Sequence, residues 1–251
     1  MNAPTETKLV NIDGRDTSDA PSDVLRPEDK DDFYHDILDG LSVYLDSPFI
    51  VDILHAIREH PTLRLGQSLN LGQVTCKKWV LDTLAEVGKT QFGSIYVLGG
   101  WYGVLAAMFL HDHRFSIDRV VSVDIDPQCK PIAEALNRTR VESGRFQSVT
   151  ADVYELDYAR MLRQRQVDEL RPDLLINTSC EHLGEFDRWI EQIPPGTLIV
   201  MQSNDYFSCD EHTNCVIDLE AFNRQAPLSE LMYEGKIKLK KYTRFMLIGR
   251  K

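Results

Sequence analysis

Features that would tie the chain to a membrane, to secretion or to nucleic acid are scarce in its 251 residues. No run of about 18 apolar residues occurs, so the sequence predicts no membrane-spanning helix and no membrane partner. The opening residues, MNAPTETK, lack the basic and apolar regions of a secretory signal, and we expect a cytoplasmic protein. Lys and Arg number 28 against 39 Asp and Glu, which gives a net charge of −11. Since a protein that grips phosphate backbones needs positive charge, we expect no nucleic-acid partner.

Cysteine is also scarce, at five residues, an odd number that favours free thiols in a cytosolic chain. One cluster, Cys180 and His182 followed by Cys209, His212 and Cys215, could in principle bind zinc. Structural zinc sites usually carry closely spaced cysteine pairs on tight knuckles, and the sequence has no such pair. We therefore predict no metal.

What the sequence does contain is a complete βαβ pattern. Residues 95–98 form a short apolar run typical of a strand buried on both faces, and residues 104–110 indicate a buried helix. A second apolar run ends in Asp124, about twenty residues beyond the turn, where the nucleotide-binding unit places its ribose-binding acid. The turn itself is rich in glycine and aromatic residues: Gly99, Gly100, Trp101, Tyr102 and Gly103. An ordinary tight turn is the alternative, but bulky aromatics at its tip normally need something to cover.

The rest of the chain predicts one α/β domain with an N-terminal extension. Residues 1–30 are polar and indicate a flexible arm, residues 31–90 a helical lid or extension, and residues 91–251 the catalytic domain. Helices are predicted from Asp31, from Ser47-Pro48, over Thr75–Val87 after a turn at 68–73, and over Tyr154–Val167. Further strands are predicted at Phe146–Thr150, Asp173–Asn177 and Thr197–Met201, with a closing hairpin of Leu231–Leu239 and Tyr242–Ile248.

This order of elements, ending in a hairpin, resembles the class I S-adenosylmethionine (SAM)-dependent methyltransferases over roughly residues 68–251. The resemblance implies a three-layer, Rossmann-like sandwich with a seven-stranded, mostly parallel sheet of order 3-2-1-4-5-7-6 and a C-terminal antiparallel hairpin. It also implies SAM as co-substrate, with the glycines along its methionine part and Asp124 at its ribose. Asp152 and Val153 would contact the adenine, and Asn177 would lie near the sulfonium.

Two positions depart from the family pattern. Val97 stands where the family commonly has an acid, two residues before the first glycine, and Trp101 replaces the middle glycine. From the residues themselves, Gln73 and Lys77 at a helix start are candidates to meet an anionic carboxylate. The predicted cofactor-binding residues are thus Gln73, Gly99, Gly100, Trp101, Tyr102, Gly103, Asp124, Ile125, Asp152, Val153 and Asn177.

Polar side chains that follow the fourth and fifth strands form the predicted acceptor side. Glu181 or His182 could remove a proton from an acceptor hydroxyl or amine. Aromatic faces such as those of Trp101 and Tyr206 suit a sulfonium through cation–π attraction. The predicted catalytic residues are Asn177, Tyr206, His182, Glu181 and Ser203.

Three functions remain open, all of them with SAM. The first is methylation of a small-molecule metabolite by an enzyme that could form a homodimer. The second uses the aminocarboxypropyl chain of SAM, either by transfer or by cyclisation to azetidine-2-carboxylate, and releases methylthioadenosine. Val97 favours this second function, because the missing acid would otherwise hold the amine of SAM as a cation. The third is a non-catalytic SAM-binding partner subunit.

Overall fold

The structure, a computed structural model, describes residues 30–61, 65–158 and 172–251. Its strands are β1 Gln91–Leu98, β2 Ser116–Asp124, β3 Phe146–Thr150, β4 Pro172–Asn177, β5 Leu198–Asn204, β6 Glu230–Lys238 and β7 Thr243–Arg250. Its helices are α1 Lys30–Leu45, α2 Pro48–Glu59, α3 Leu65–Ser68, α4 Leu71–Glu86, α5 Val104–His111, α6 Cys129–Leu136, α7 Arg138–Glu142, α8 Phe186–Gln192 and α9 Leu219–Gln225. A 3₁₀ turn covers Cys180–His182.

The seven strands form one sheet of order β3-β2-β1-β4-β5-β7-β6. The first five strands are parallel, and β7 is antiparallel to both β5 and β6. This confirms the predicted fold class and the predicted strand order. Strand order reverses between β1 and β4, and in open parallel sheets a ligand binds at the carboxyl ends of the strands at such a point.

Two apolar layers cover the two faces of the sheet. On one face Leu84 of α4 and Phe109 of α5 pack against the β1 residue Ile95. On the other face Trp189 of α8 and Phe222 of α9 lie in the core. Strands buried on both faces explain the continuous apolar runs in the sequence. The result is a three-layer sandwich whose carboxyl edge is left for the connecting loops.

In the described ranges, no helix is both long enough and apolar enough to cross a lipid bilayer.

Several element boundaries differ from the predictions. Strand β5 continues through Asn204, beyond the predicted end at Met201, because residues 202–204 keep pairing with β7. Helix α4 begins at Leu71 rather than Thr75, since the side chain of Asn70 caps it by accepting from the N–H of Gln73 at 3.0 Å.

Two predicted segments, the N-terminal arm and the helix Tyr154–Val167, lie largely outside the described residues. Residues 154–157 are not helical although a helix was predicted there, and the rest of that helix lies almost wholly outside the described residues. The predicted arm also lies outside them, apart from Lys30. The division at residue 90 stays a prediction, although α4 contributes Val80, Leu81 and Leu84 to the sheet core.

Candidate functional site

The turn between β1 and α5 uses backbone conformations that favour glycine. Gly99 and Gly103 have φ angles of 60° and 72°, and Trp101 has φ 49°. Gly100 is required for a different reason, because a Cβ there would lie 1.9 Å from Oγ of Ser122 on β2. The turn is therefore held closely against the neighbouring strand, and its backbone lies at the switch point of the sheet.

Asp124 is the last residue of β2, and its side chain is hydrogen-bonded to the backbone of this turn. Its carboxylate accepts hydrogen bonds from the N–H groups of Trp101 at 2.7 Å and Asp126 at 3.0 Å. The side chain is half-buried, so its carboxylate is ordered without being sealed from solvent. Ile125, the next residue, is 66% exposed and presents an apolar side chain that the described protein leaves uncovered.

A second acid lies at the end of the neighbouring strand. Strand β3 pairs with β2 up to Asp124 and Thr150, which places Asp152 close to the same edge. Oδ1 of Asp152 accepts from the N–H of Tyr154 at 2.9 Å. Val153, between them, is half-buried. The predicted ribose and adenine residues thus come from adjacent strand ends.

Asn177 ends β4 on the other side of β1. It pairs with Leu98, the last residue of β1, and its side-chain oxygen accepts from the N–H of Ser179 at 2.9 Å. A Cβ on Gly99 would lie 3.3 Å from Ser179, so the glycine turn and the loop after β4 are in contact. The structure therefore brings Asn177 to the glycine turn, and its predicted place near the sulfonium stays a prediction.

A buried ion pair lies beneath the loop that follows β4. Glu181 and Arg244 are both almost fully buried, with a side-chain N–O distance of 2.5 Å. Oε1 of Glu181 also accepts from the amide of Asn204 at 2.8 Å. The Arg244 guanidinium donates further to the carbonyl of Thr178 and, at 3.3 Å, to the side chain of Gln202. Oε2 of Glu181 is buried with no hydrogen-bond donor among the described residues.

Sequence reasoning did not find Arg244. The available signal is a charged residue at the start of a strand whose next four residues, Phe245–Ile248, are fully buried apolar side chains. A charge in such a run needs a buried partner, because desolvating an unpaired ion is costly.

Aromatic rings surround the loop after β5. Tyr206 stacks on Tyr242 with ring centroids 5.6 Å apart and meets His212 edge-on at 5.8 Å. His212 in turn packs against His182 at 4.7 Å. Burial lowers the pKa of His212, so its ring is held in the neutral form near pH 7. Two of the predicted catalytic residues, His182 and Tyr206, therefore flank a third ring.

The predicted catalytic residue Ser203 occupies a different environment. It is fully buried within β5, and its hydroxyl donates to the carbonyl of Asn214 at 3.5 Å. Gln202, on the opposite face, donates to the carbonyl of Cys76 in α4 at 3.1 Å. A catalytic role for Ser203 stays a prediction, and in this conformation its side chain has no solvent-facing surface.

Lys77 and Gln73 lie one turn apart in α4. The ammonium group of Lys77 donates to Oε1 of Gln73 at 2.5 Å, and no described carboxylate forms an ion pair with it. Burial and then the nearby Arg244 charge lower the pKa of Lys77 to about 8. A desolvated cation with a neutral partner is suited to receive an anionic ligand group.

The sequence matches no protein-family model and no curated protein. Its fold is similar to several solved structures. N-methyltransferase NodS of Bradyrhizobium japonicum WM9 has 11% identity and a TM-score of 0.51 over 73% of this chain and 98% of its own. The [4+2]-cyclase SpnF has 13% identity and a TM-score of 0.53 over 71% of this chain and 82% of its own. Geranyl diphosphate C-methyltransferase of Streptomyces coelicolor A3(2) has 11% identity and a TM-score of 0.50 over 71% of this chain and 81% of its own.

These similarities show that the chain has the fold of the class I methyltransferases, as the resemblance predicted. NodS and the geranyl diphosphate enzyme were both solved with S-adenosylhomocysteine. At such low identity the comparison speaks for the fold, so the ligand of this chain has to be argued from its own residues.

Proposed function

We propose that the chain is a SAM-dependent transferase that methylates a small-molecule acceptor. One arrangement carries the proposal. A glycine turn lies at the switch point of a methyltransferase fold, and two acids, Asp124 at the end of β2 and Asp152 two residues after β3, follow neighbouring strands at the same carboxyl edge. NodS, which shares this fold, was solved with S-adenosylhomocysteine, and this supports the same ligand class here.

The described residues fit SAM part by part. Asp124 retains acceptor capacity beyond its two backbone N–H bonds, because a carboxylate has about four lone-pair positions, and it can receive ribose hydroxyls. Ile125 is exposed beside it and can cover one face of the adenine, with Asp152 and Val153 from the next strand. Lys77 and Gln73 offer a cation and an amide to the carboxylate.

When bound, SAM supplies an electrophilic methyl carbon on a sulfonium, so the protein has mainly to orient the acceptor and exclude water. For this positioning we propose Asn177 at the end of β4 and Tyr206 after β5, because both lie at or just after strand ends at the carboxyl edge of the sheet. His212 and His182 follow them on the acceptor side. His182 is exposed, and its ring could accept a proton from an acceptor hydroxyl or amine.

One observation favours the second candidate, chemistry on the aminocarboxypropyl chain. Val97 is 1% exposed within the sheet core, so the position where the family commonly has an acid offers no carboxylate to the amine of SAM. An amine without that partner is more easily deprotonated and could attack within the same molecule. The methyl-transfer proposal is retained because the shared fold is that of the methyltransferases NodS and geranyl diphosphate C-methyltransferase.

Product analysis separates these functions. The purified full chain is incubated with SAM, alone and with a metabolite pool, and the products are identified by mass spectrometry. Methyl transfer predicts S-adenosylhomocysteine that appears only with the pool. Methylthioadenosine formed from SAM alone, above the spontaneous rate, would support the second candidate instead. If neither product forms, SAM binding without turnover would indicate the third possibility, a partner subunit. The possible homodimer stays a prediction.

A further inference from the structure

Three side chains with metal-binding atoms meet between the loops that follow β4 and β5. Glu181, His182 and His212 each offer one ligand atom, and these atoms lie within 4.8 Å of one another. Glu181 and His182 come from the 3₁₀ turn after β4, and His212 comes from the loop after β5. The edge of the sheet therefore brings His212 next to two residues that lie 30 and 31 positions before it in the chain.

Both histidines are oriented as metal ligands usually are. Nδ1 of His182 lies 3.0 Å from the carbonyl oxygen of Glu211, and Nδ1 of His212 lies 3.2 Å from that of Tyr206. A carbonyl oxygen only accepts, so each Nδ1 carries the proton. The Nε2 lone pair of each ring is then available, and metal-bound histidines are commonly fixed through the other ring nitrogen in this way.

Glu181 supplies the second, independent observation. Its Oε1 is held by Arg244 at 2.5 Å and by Asn204 at 2.8 Å, whereas Oε2 is buried without a donor in the described part of the chain. An unpartnered carboxylate oxygen in the protein interior is costly, and a cation would satisfy it. A carboxylate that ligates through one oxygen while the other is hydrogen-bonded is the usual arrangement at metal sites.

We propose that Glu181, His182 and His212 bind one divalent transition-metal ion. Two imidazoles and one carboxylate suit Zn²⁺, Co²⁺ or Fe²⁺ better than Mg²⁺, which prefers oxygen ligands. Ligand atoms bound about 2.0–2.2 Å from one ion lie about 3–4 Å apart, so the set has to close slightly. The exposed ring of His182 can make that movement. With the ion bound, His182 would act as a ligand and not as the proton acceptor proposed above.

This proposal departs from the sequence analysis, which considered cysteines together with these histidines and predicted no metal. The structure places Cys180 in the core with its thiol at 3.5 Å from the carbonyl of Asn177. Cys215 is closer, with Sγ 3.7 Å from Nδ1 of His212 and a hydrogen bond to Oδ1 of Asn204. Of these two thiols only that of Cys215 adjoins a proposed ligand, and the three proposed ligands are nitrogen and oxygen donors.

Calorimetry on the EDTA-treated full chain tests the site without SAM and without activity. We expect one equivalent of Zn²⁺ to bind with micromolar-range affinity, since the Arg244 charge opposes tighter binding. His182→Ala and His212→Ala should each weaken binding at least tenfold, as expected when one ligand is lost. His113→Ala is the matched control, because His113 is exposed and lies in the turn before β2, and it should bind Zn²⁺ as the natural protein does.

Two further measurements distinguish other ligands. Co²⁺ should give visible absorption bands that both histidine variants lose, and Mg²⁺ should not compete with Zn²⁺. Cys215→Ser should keep the affinity. The proposal is overturned if Zn²⁺ does not bind saturably, if both histidine variants retain full affinity, or if affinity is lost only in Cys215→Ser. Because the titration contains no SAM, its failure would leave the transferase proposal unaffected.

Discussion

Two acids, Asp124 at the end of β2 and Asp152 just after β3, accept hydrogen bonds from backbone groups of the protein itself. The carboxylate of Asp124 accepts from the N–H groups of Trp101 and Asp126, and that of Asp152 accepts from the N–H of Tyr154. Carboxylates fixed in this way lose little side-chain freedom on binding, which lowers the cost of recognition. The same contacts mean that removing Asp124 affects the turn as well as the ligand.

Replacing Asp124 by Ala should weaken SAM binding about ten- to a hundredfold. A carboxylate that receives ribose hydroxyls makes charge-assisted hydrogen bonds worth roughly 1.5–3 kcal/mol. Calorimetry measures the affinity, and circular dichroism checks that the helices are retained. Asp126→Ala, two residues away, is the matched control and should bind normally. Equal affinities for the two variants would remove Asp124 from the ligand site.

Lys77 predicts a pH dependence of binding. Its pKa of about 8 in the free protein means that it is charged at pH 7 and largely neutral at pH 9. A bound carboxylate favours the charged form, so affinity should be full below pH 8 and fall by up to about tenfold per unit above it. The measurement is the SAM affinity of the natural protein divided by that of Lys77→Met.

That ratio isolates Lys77, because the titration of SAM itself is common to both proteins. We expect the ratio to decline between pH 7 and pH 9. A ratio that stays constant over this range would place the carboxylate of the ligand elsewhere.

Among the elements, the glycine turn packs directly against β2, so Gly100 is needed for packing whether or not a ligand binds. Gly100→Ala would place a Cβ 1.9 Å from Oγ of Ser122 and should destabilise the protein by on the order of 1–3 kcal/mol, as overpacking usually does. Loss of SAM binding in that variant alone would thus be ambiguous.

The double variant resolves this ambiguity. Gly100→Ala with Ser122→Ala removes the hydroxyl and should recover most of the free energy of unfolding measured in urea, leaving a Cβ contact at 3.2 Å. If the stable double variant still fails to bind SAM, Gly100 also approaches the ligand. If the single variant is as stable as the natural protein, the packing explanation is wrong.

The Glu181–Arg244 pair joins β7 to the loop after β4. Arg244→Met leaves Glu181 buried without its cation and should lower the free energy of unfolding by about 3–5 kcal/mol. Adding Glu181→Gln should restore part of that loss, because the uncompensated charge disappears. Urea unfolding of the four proteins in this cycle measures the coupling. Additive effects in the double variant would show that the pair is not coupled.

Most elements were predictable from residue pattern because the parallel strands are buried on both faces. The predicted strand 95–98 is the second half of β1, which begins at Gln91, and Asp124 ends β2 as predicted. The end of β5 was not predictable in this way, since Gln202, Ser203 and Asn204 are polar and are buried by pairing with β7. Polar residues at strand ends look like loops until their partners are known.

In the molecule as a whole, the proposed cofactor side of the site follows from chain order, whereas the proposed acceptor side does not. A βαβ unit places its glycines and acid by local rules, so Gly99 and Asp124 could be proposed from spacing. The contacts of Glu181 with Arg244 and of His182 with His212 join distant segments, through the antiparallel strand β7 and the loop after β5. Such pairings depend on tertiary structure, which local periodicity does not encode.

We propose above that the ligand of the glycine turn is SAM. This is tested by calorimetric titration of the natural full chain with SAM, S-adenosylhomocysteine, NAD and ATP. We expect one saturable SAM site of micromolar-range affinity, competition by S-adenosylhomocysteine, and no competition by NAD or ATP. Absence of binding for SAM and S-adenosylhomocysteine, together with NAD binding that Asp124→Ala abolishes, would contradict it.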